Sequence, residues 1–198
     1  PAVGPLLEYK KLARLLGSVA RRDPTLISRH GMNWGYEPLT REISRRYLQG
    51  GVPLAHDELV VTIGCSEALN LCLRAVTRPG DTVAVESPGY YLMLQLLESL
   101  GLKALEIPTD PRRGISIDAL DLATRDGKVK ACLLVANAGN PLGTILSDAD
   151  KKRLARLLET RGVPLIEDDI YGDLHFGERR PWPVKAFDRN GNVLLCAS

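Results

Sequence analysis

The sequence has little excess of charge of either sign. Its 198 residues carry 26 Lys+Arg against 24 Asp+Glu, a formal net charge of +2. It therefore lacks the basic field with which nucleic-acid binders attract phosphates. Long apolar runs are missing too: stretches such as Ala131–Ala136 fall far short of the roughly 18–20 residues that cross a bilayer. The opening residues, PAVGPLLEYKKLARLL, show neither the basic-then-apolar pattern nor the cleavage site of a signal peptide. Histidine is scarce, with 3 in the chain, which argues against a histidine-rich metal site. The 4 cysteines, Cys65, Cys72, Cys132 and Cys196, form no CxxC pair. Each lies in an apolar context and is expected to be a buried free thiol in a reducing cytoplasm. There is no internal repeat, low-complexity tract or long linker. What is present is globular: 44% hydrophobic and 25% charged residues, at a length that suits one domain or a large piece of something bigger.

Periodicity supplies the organisation. Leu6–Leu16 has apolar residues at helical spacing, and a second helix is expected from Pro38, with Leu39, Ile43, Tyr47 and Leu48 as its apolar face and Gly50-Gly51 as its end. Strands are expected at Leu59–Ile63, Thr82–Val85, Lys103–Ile107, Ala131–Ala136, Pro164–Ile166 and Val193–Cys196. Helices are expected at Ser66–Thr77, Tyr90–Leu100, Ile117–Ala123 and Ser147–Thr160, the last capped by Ser147 and closed by Gly162. Strands separated by helices imply parallel crossovers and a buried sheet. The reading is an α/β protein with three layers, α/β/α, and a mostly parallel sheet over residues 51–198, preceded by a helical segment over residues 1–50.

Ligands of open parallel sheets bind at the carboxyl ends of the strands, so the residues after each strand carry the chemistry. Gly64-Cys65-Ser66-Glu67 is either an anion site at a helix start or an ordinary cap. Glu86-Ser87-Pro88-Gly89-Tyr90-Tyr91 combines a turn with an aromatic suited to stacking on a flat ligand or to plain packing. Asn137-Ala138-Gly139-Asn140-Pro141-Leu142-Gly143 is a turn whose Asn140 amide can reach a ligand. In Glu167-Asp168-Asp169-Ile170-Tyr171, strand alternation sends Asp168 to the side opposite Glu167 and Asp169. A carboxylate held there needs a cation or hydrogen bonds; a metal, a phosphoacceptor role and a protonated heterocycle all remain open. The order of these features suits one flat, anionic, nitrogen-containing ligand.

The phrases VVTIGCSEALNL, RPGDTVAVESPGYY, ACLLVANAGNPLGT and VPLIEDDIYGDLHF closely resemble the large domain of fold-type-I pyridoxal phosphate (PLP) enzymes, the aminotransferase class I/II family. The last two, with ERRPWPVKAFDRNGNVLLCAS, are most similar to the aminotransferase-like domain of MocR-type regulators. Those regulators fuse a GntR-type winged-helix DNA-binding domain to this fold. The resemblance spans about Pro5 to Ser198. It implies that Cys65 and Ser66 bind the cofactor phosphate, mainly through backbone N–H groups and the Ser66 hydroxyl, Tyr90 stacks on the pyridine ring, Asn140 and Tyr171 hydrogen-bond its phenolic oxygen, and Asp168 pairs with the ring nitrogen and keeps it protonated. The family's Tyr-Gly-x3-Gly-x3-Leu-Arg stretch reads His30-Gly31 … Gly35 … Leu39-Thr40 here. His30 thus stands where a tyrosine reaches the neighbouring subunit's phosphate, and it retains a hydrogen-bond donor.

The resemblance places the Schiff-base lysine shortly after Val193–Cys196, beyond Ser198, so no catalytic residue is assigned within the chain. Lys185 is read as a surface residue, and Lys151 and Lys152 as lying on an exposed helix face. The expectation is a fragment of a cytoplasmic MocR/GntR-type regulator that senses a small-molecule amino acid or amine through PLP. Its parent is expected to be a homodimer that reaches DNA through a domain absent from this chain, with no membrane contact. The alternatives are a fragment of a genuine class I/II aminotransferase, which would pass amino groups between amino acids and 2-oxo acids, and a receiver-like module that binds magnesium through Asp168 and Asp169.

Overall fold

The computed structural model describes residues 8–27 and 35–198. Apolar residues at helical spacing form α1 (Tyr9–Arg22) and α2 (Glu37–Gln49), the latter with Pro38 in its first turn and Gly50 at its end. The chain then runs α3 (Cys65–Val76), β1 (Thr82–Ser87), α4 (Tyr91–Ser99), β2 (Lys103–Asp110), β3 (Gly114–Ile115), α5 (Ile117–Thr124), β4 (Val129–Leu134), β5 (Asn137–Gly139), β6 (Thr144–Ile145), α6 (Asp148–Arg161), β7 (Leu165–Asp168) and β8 (Val193–Cys196). Six strands make one sheet in the order β3-β2-β1-β4-β7-β8. The pairings are parallel except for β3, which runs antiparallel to β2. β5 and β6 form a separate hairpin between β4 and α6.

Strand alternation divides the core into two faces. Val83, Val85, Leu133 and Ile166 pack under α3 and α4 with Leu69, Leu73, Met93 and Leu97. Ala84, Cys132, Leu134 and Leu165 pack under α5 and α6 with Leu120, Leu154 and Leu158. The same alternation continues into the polar end of β7. There Asp168 points to the α3 side and Glu167 to the α6 side, as expected from the sequence.

Three local expectations are corrected. Leu59–Ile63 is not a strand: its β-branched residues have the propensity, but among the described residues no strand lies beside them, and Val60, Val61 and Ile63 are exposed. Lys151 is not on an exposed face. It is fully buried, on the same i, i+3, i+4, i+7 stripe as Leu154, Ala155 and Leu158. Lys185 is half-buried, held by Asp188 at 2.8 Å and by the Val193 carbonyl at 2.9 Å. The apolar residues of the first two helices are also more exposed than amphipathic packing predicts, with Leu12, Leu16, Leu39 and Leu48 all open to solvent.

The α6 start follows the sequence closely. The Ser147 hydroxyl accepts from the Asp150 N–H at 3.1 Å and donates to its carboxylate at 2.7 Å, and Gly162 closes the helix at φ 65°. Ser147→Ala is expected to cost about 1 kcal/mol, read as a fall in Tm of roughly 2–4 °C for a domain of this size. An unchanged melting curve would show that the cap contributes nothing. Among the described residues no helix is long and apolar enough to cross a membrane.

Candidate functional site

β1 has β2 on one side and β4 on the other, so the chain reverses its direction of travel across the sheet at this point. The carboxyl ends of such strands form a natural crevice. A cavity of about 250 Å³ opens at the end of β1, lined by Glu86, Ser87, Tyr90, Tyr91 and Glu106 among others. Of the residues expected from the sequence, Tyr90 lines it.

α3 starts beside the carboxyl end of β7, where Cys65 meets Asp168. Its cap is Gly64, at φ 80°, a left-handed conformation that favours glycine and supplies no capping side chain. The first-turn N–H groups of Cys65, Ser66 and Glu67 therefore face the open end of the helix, with the positive end of its dipole. The Ser66 side chain is exposed there. The Glu67 carboxylate folds back onto the Ile63 N–H. Cys65 keeps its backbone N–H at the helix start, the group expected to meet the phosphate. Its thiol turns inward and donates to Asp168 Oδ1 at 3.3 Å.

Asp168 is 5% exposed. Its Oδ1 accepts from Cys65 and from the Ile170 N–H at 3.0 Å, and no donor among the described residues reaches Oδ2. Burial pushes its carboxyl above the ordinary value, against the pull of those two hydrogen bonds, with the Asp169 charge adding to the rise. A buried carboxylate with one free oxygen suits a cationic N–H donor. Tyr90 and Tyr171 pack against the same apolar cluster. The Tyr90 phenol is raised, first by desolvation and then by the charges of Tyr91, Tyr171 and Asp168. Tyr90 also meets Tyr91 edge-on, with ring centroids 5.2 Å apart. Asn140 is exposed at the tip of the β5–β6 hairpin, where its bond to Pro141 is cis. His30 lies outside the described residues.

Sequence reasoning missed two parts of the surroundings. The first is Glu86, whose Oε2 accepts from the Val135 N–H at 2.7 Å and so bridges the ends of β1 and β4. Burial is the main reason its carboxyl rises to about 7, with the Asp168 charge adding to it. The second is a network behind Asp168. Lys151 donates to Asn137 Oδ1 at 2.7 Å, and Asn137 donates to Asp169 Oδ1 at 3.1 Å. Arg180 reaches Asp169 Oδ2 at 2.5 Å and Asp173 at 2.6 Å. Tyr47 donates to Asp169 at 3.3 Å, and Arg46 pairs with Asp173 at 2.7 Å, which ties α2 to the end of β7. The stripe Lys151, Leu154, Leu158 was a usable signal for Lys151. Nothing local marked Arg180.

The signs of the carboxyl shifts set a pH dependence. Glu86 and Glu167, the latter also raised to about 7 by burial, hold protons in the folded state that the unfolded chain releases near pH 4.5. Their contribution to stability is complete below pH 4.5 and is lost as pH rises from there through 7. Glu86→Gln removes one of these groups and keeps an acceptor for Val135. After discounting for partial exposure, the variant is expected to be about 2 kcal/mol more stable than the parent at pH 8 and equal near pH 4.5. Urea unfolding at both pH values checks this, and parallel pH profiles would sink it.

The family signature of aminotransferase class I and II matches residues 27–198. The chain belongs to that family. It is 45% identical over 193 residues to the HTH-type transcriptional regulator YdcR of Escherichia coli K12, covering 98% of this chain and 41% of that protein. It is 40% identical over 189 residues to the regulator YjiR of the same organism, covering 96% of this chain and 40% of that protein. Mouse tyrosine aminotransferase is 30% identical over 162 residues, covering 82% of this chain and 36% of that protein. Among solved structures, an archaeal alanine:glyoxylate aminotransferase superposes with a TM-score of 0.89 at 27% identity, covering 98% of this chain and 49% of that one. A Pyrococcus horikoshii kynurenine aminotransferase, solved with pyridoxamine phosphate (PMP), gives 0.88 at 25% identity, covering 97% and 48%. The chain thus spans about two-fifths of the length of the regulators it matches and about half of these structures. Asp168 and Asp169 face opposite sides of β7, and no metal-binding cluster of His, Cys, Asp or Glu occurs among the described residues. The paired-acid receiver alternative therefore has no geometric basis.

Proposed function

We propose that this chain is part of a pyridoxal-phosphate-binding, aminotransferase-like domain that senses an amino acid or amine within an HTH-type transcriptional regulator. Residues 51–198 would form the cofactor-binding part and residues 1–50 a helical arm. The observation that carries the reading is Asp168: a buried carboxylate, fixed through one oxygen and free at the other, beside an uncapped helix start.

The residues fit the cofactor. The α3 N–H groups and the Ser66 hydroxyl bind its phosphate, as helix starts bind anions. The Asp168 carboxylate holds a proton on the ring nitrogen, because removing that proton would leave a buried charge unpaired. Tyr90 would pack against the ring, and Asn140 and Tyr171 would supply hydrogen bonds to its phenolic oxygen. Cys65 and Ile170 keep the Asp168 carboxylate from rotating away. When bound, the cofactor supplies an electron sink for chemistry at the carbon bearing a substrate's amino group. The regulator reading is favoured over the enzyme reading by the identity and coverage of the two E. coli regulators relative to the tyrosine aminotransferase. In this reading the protein is a cytoplasmic homodimer, DNA is contacted by a separate HTH domain, and His30 serves the partner's phosphate.

The test uses the full-length protein. Titration with PLP is expected to give saturable binding and a visible absorbance band. A panel of amino acids and amines is expected to contain one that changes the protein's affinity for DNA upstream of its own gene. Rapid amino-group transfer to 2-oxo acids, with no DNA binding, would overturn the regulator reading in favour of an aminotransferase. Absence of any PLP binding would overturn both.

A further inference from the structure

Three of the four thiols, Cys72, Cys132 and Cys196, have no part in the proposed cofactor site. α3 presents Cys65, Leu69, Cys72 and Leu73 to the sheet at i, i+4, i+7 and i+8, and β8 ends in Cys196, which alternation turns toward the same face. The two elements bring Cys72 Sγ and Cys196 Sγ to 3.6 Å, though 124 residues separate them in the chain. Cys72 is half-buried, whereas Cys196 is 2% exposed. Cys196 stands in register with Asp168, and its carbonyl accepts the Asp169 N–H at 2.8 Å. The fourth cysteine, Cys132, is buried on the opposite face of the sheet.

We infer that Cys72 and Cys196 form a reversible oxidation site that takes a peroxide and closes to a disulfide between α3 and β8. The Cys72 thiolate attacks one peroxide oxygen and breaks the O–O bond, giving a sulfenic acid and one water after protonation. Cys196 sulfur then attacks the Cys72 sulfur, the S–O bond breaks, and a second water leaves with the Cys196 proton. The two thiols lose two electrons and two protons in total, and the peroxide is reduced to two waters. Cys72 is the attacking group because it is the accessible one. The neighbouring Cys196 also lowers its pKa by hydrogen bonding, while contact with Cys72 and burial raise that of Cys196. Closing the gap to the ~2.05 Å of a disulfide needs about 1.5 Å of sulfur movement. The cross-link would fasten the helix that starts at Cys65 to the strand beside Asp168.

The experiment exposes the full-length protein to hydrogen peroxide, blocks free thiols with N-ethylmaleimide and maps peptides without reduction. Cleavage after Glu67 puts Cys65 and Cys72 on separate peptides. The expected result is a Cys72–Cys196 linked pair, lighter by two hydrogens and released by dithiothreitol. The oxidised protein should also melt about 5–10 °C higher. In Cys196→Ser, dimedone should trap a sulfenic acid on Cys72. The inference is overturned if peroxide leaves both thiols alkylatable, if Cys72 pairs with Cys65, or if Cys72 passes to sulfinic acid without linking. The wild-type map decides the matter even if a variant fails to fold.

Discussion

Asp168→Ala is expected to weaken PLP binding by the full-length protein about 100-fold, equivalent to about 3 kcal/mol. That is the scale of a hydrogen-bonded charge pair in a partly dry site. Asp168→Asn should lose nearly as much, because it preserves the shape and the acceptor for Cys65 and Ile170 but not the charge. The two variants should behave unlike ordinary core lesions when no cofactor is present. Burial raises the Asp168 carboxyl in the folded state, so its contribution to stability is present below the unfolded value and lost as pH rises through the folded one. At pH 7, well above the unfolded value, the group therefore costs stability, and Asp168→Asn should melt no lower than the parent without PLP. Spectroscopic titration together with thermal melts checks both halves. Unchanged PLP affinity, or a large loss of apo stability, would remove Asp168 from the proposed role.

The second large effect is expected at Arg180. The Asp169 side chain has 0% exposure and meets Arg180 at 2.5 Å. Arg180→Ala leaves that carboxylate buried with only the Asn137 and Tyr47 donors, at 3.1 and 3.3 Å. Losing one partner of a buried pair costs about 3 kcal/mol, or roughly 6–12 °C in Tm at this size. The pair itself is not the source of that loss; the stranded charge is. Asp169→Asn introduced with Arg180→Ala should therefore recover more than half of it, a result that a double-mutant cycle would measure. A loss below about 1 kcal/mol for Arg180→Ala would mean that water reaches Asp169 and that the network is a surface feature.

These two residues also mark how far the sequence could be read. Asp168 was legible because strand alternation and its place after β7 say which way it points and where on the sheet it stands. Asp169 was legible only as its opposite. Its partners come from α2, from the β5–β6 hairpin, from α6 by way of Asn137, and from the loop after β7. No local pattern relates positions so far apart. Leu59–Ile63 failed for the converse reason: its residues favour extended backbone, but a strand needs a neighbour, and propensity does not report one.

By itself the sequence determined the alternation of strands and helices, the caps of α6, the opposite facing of successive residues at the end of β7 and the residues that follow the strands. Each of these depends on periods of two or about 3.6 residues, or on the conformations of Gly, Pro and Ser, all of which act within one or two turns of chain. The tertiary structure alone decided that Lys151 is buried, that the Cys65 thiol serves Asp168, and that Cys72 meets Cys196. Those are contacts between elements 14 to 124 residues apart. They are set by how the layers stack around the sheet, a property of the packed chain and not of any window within it.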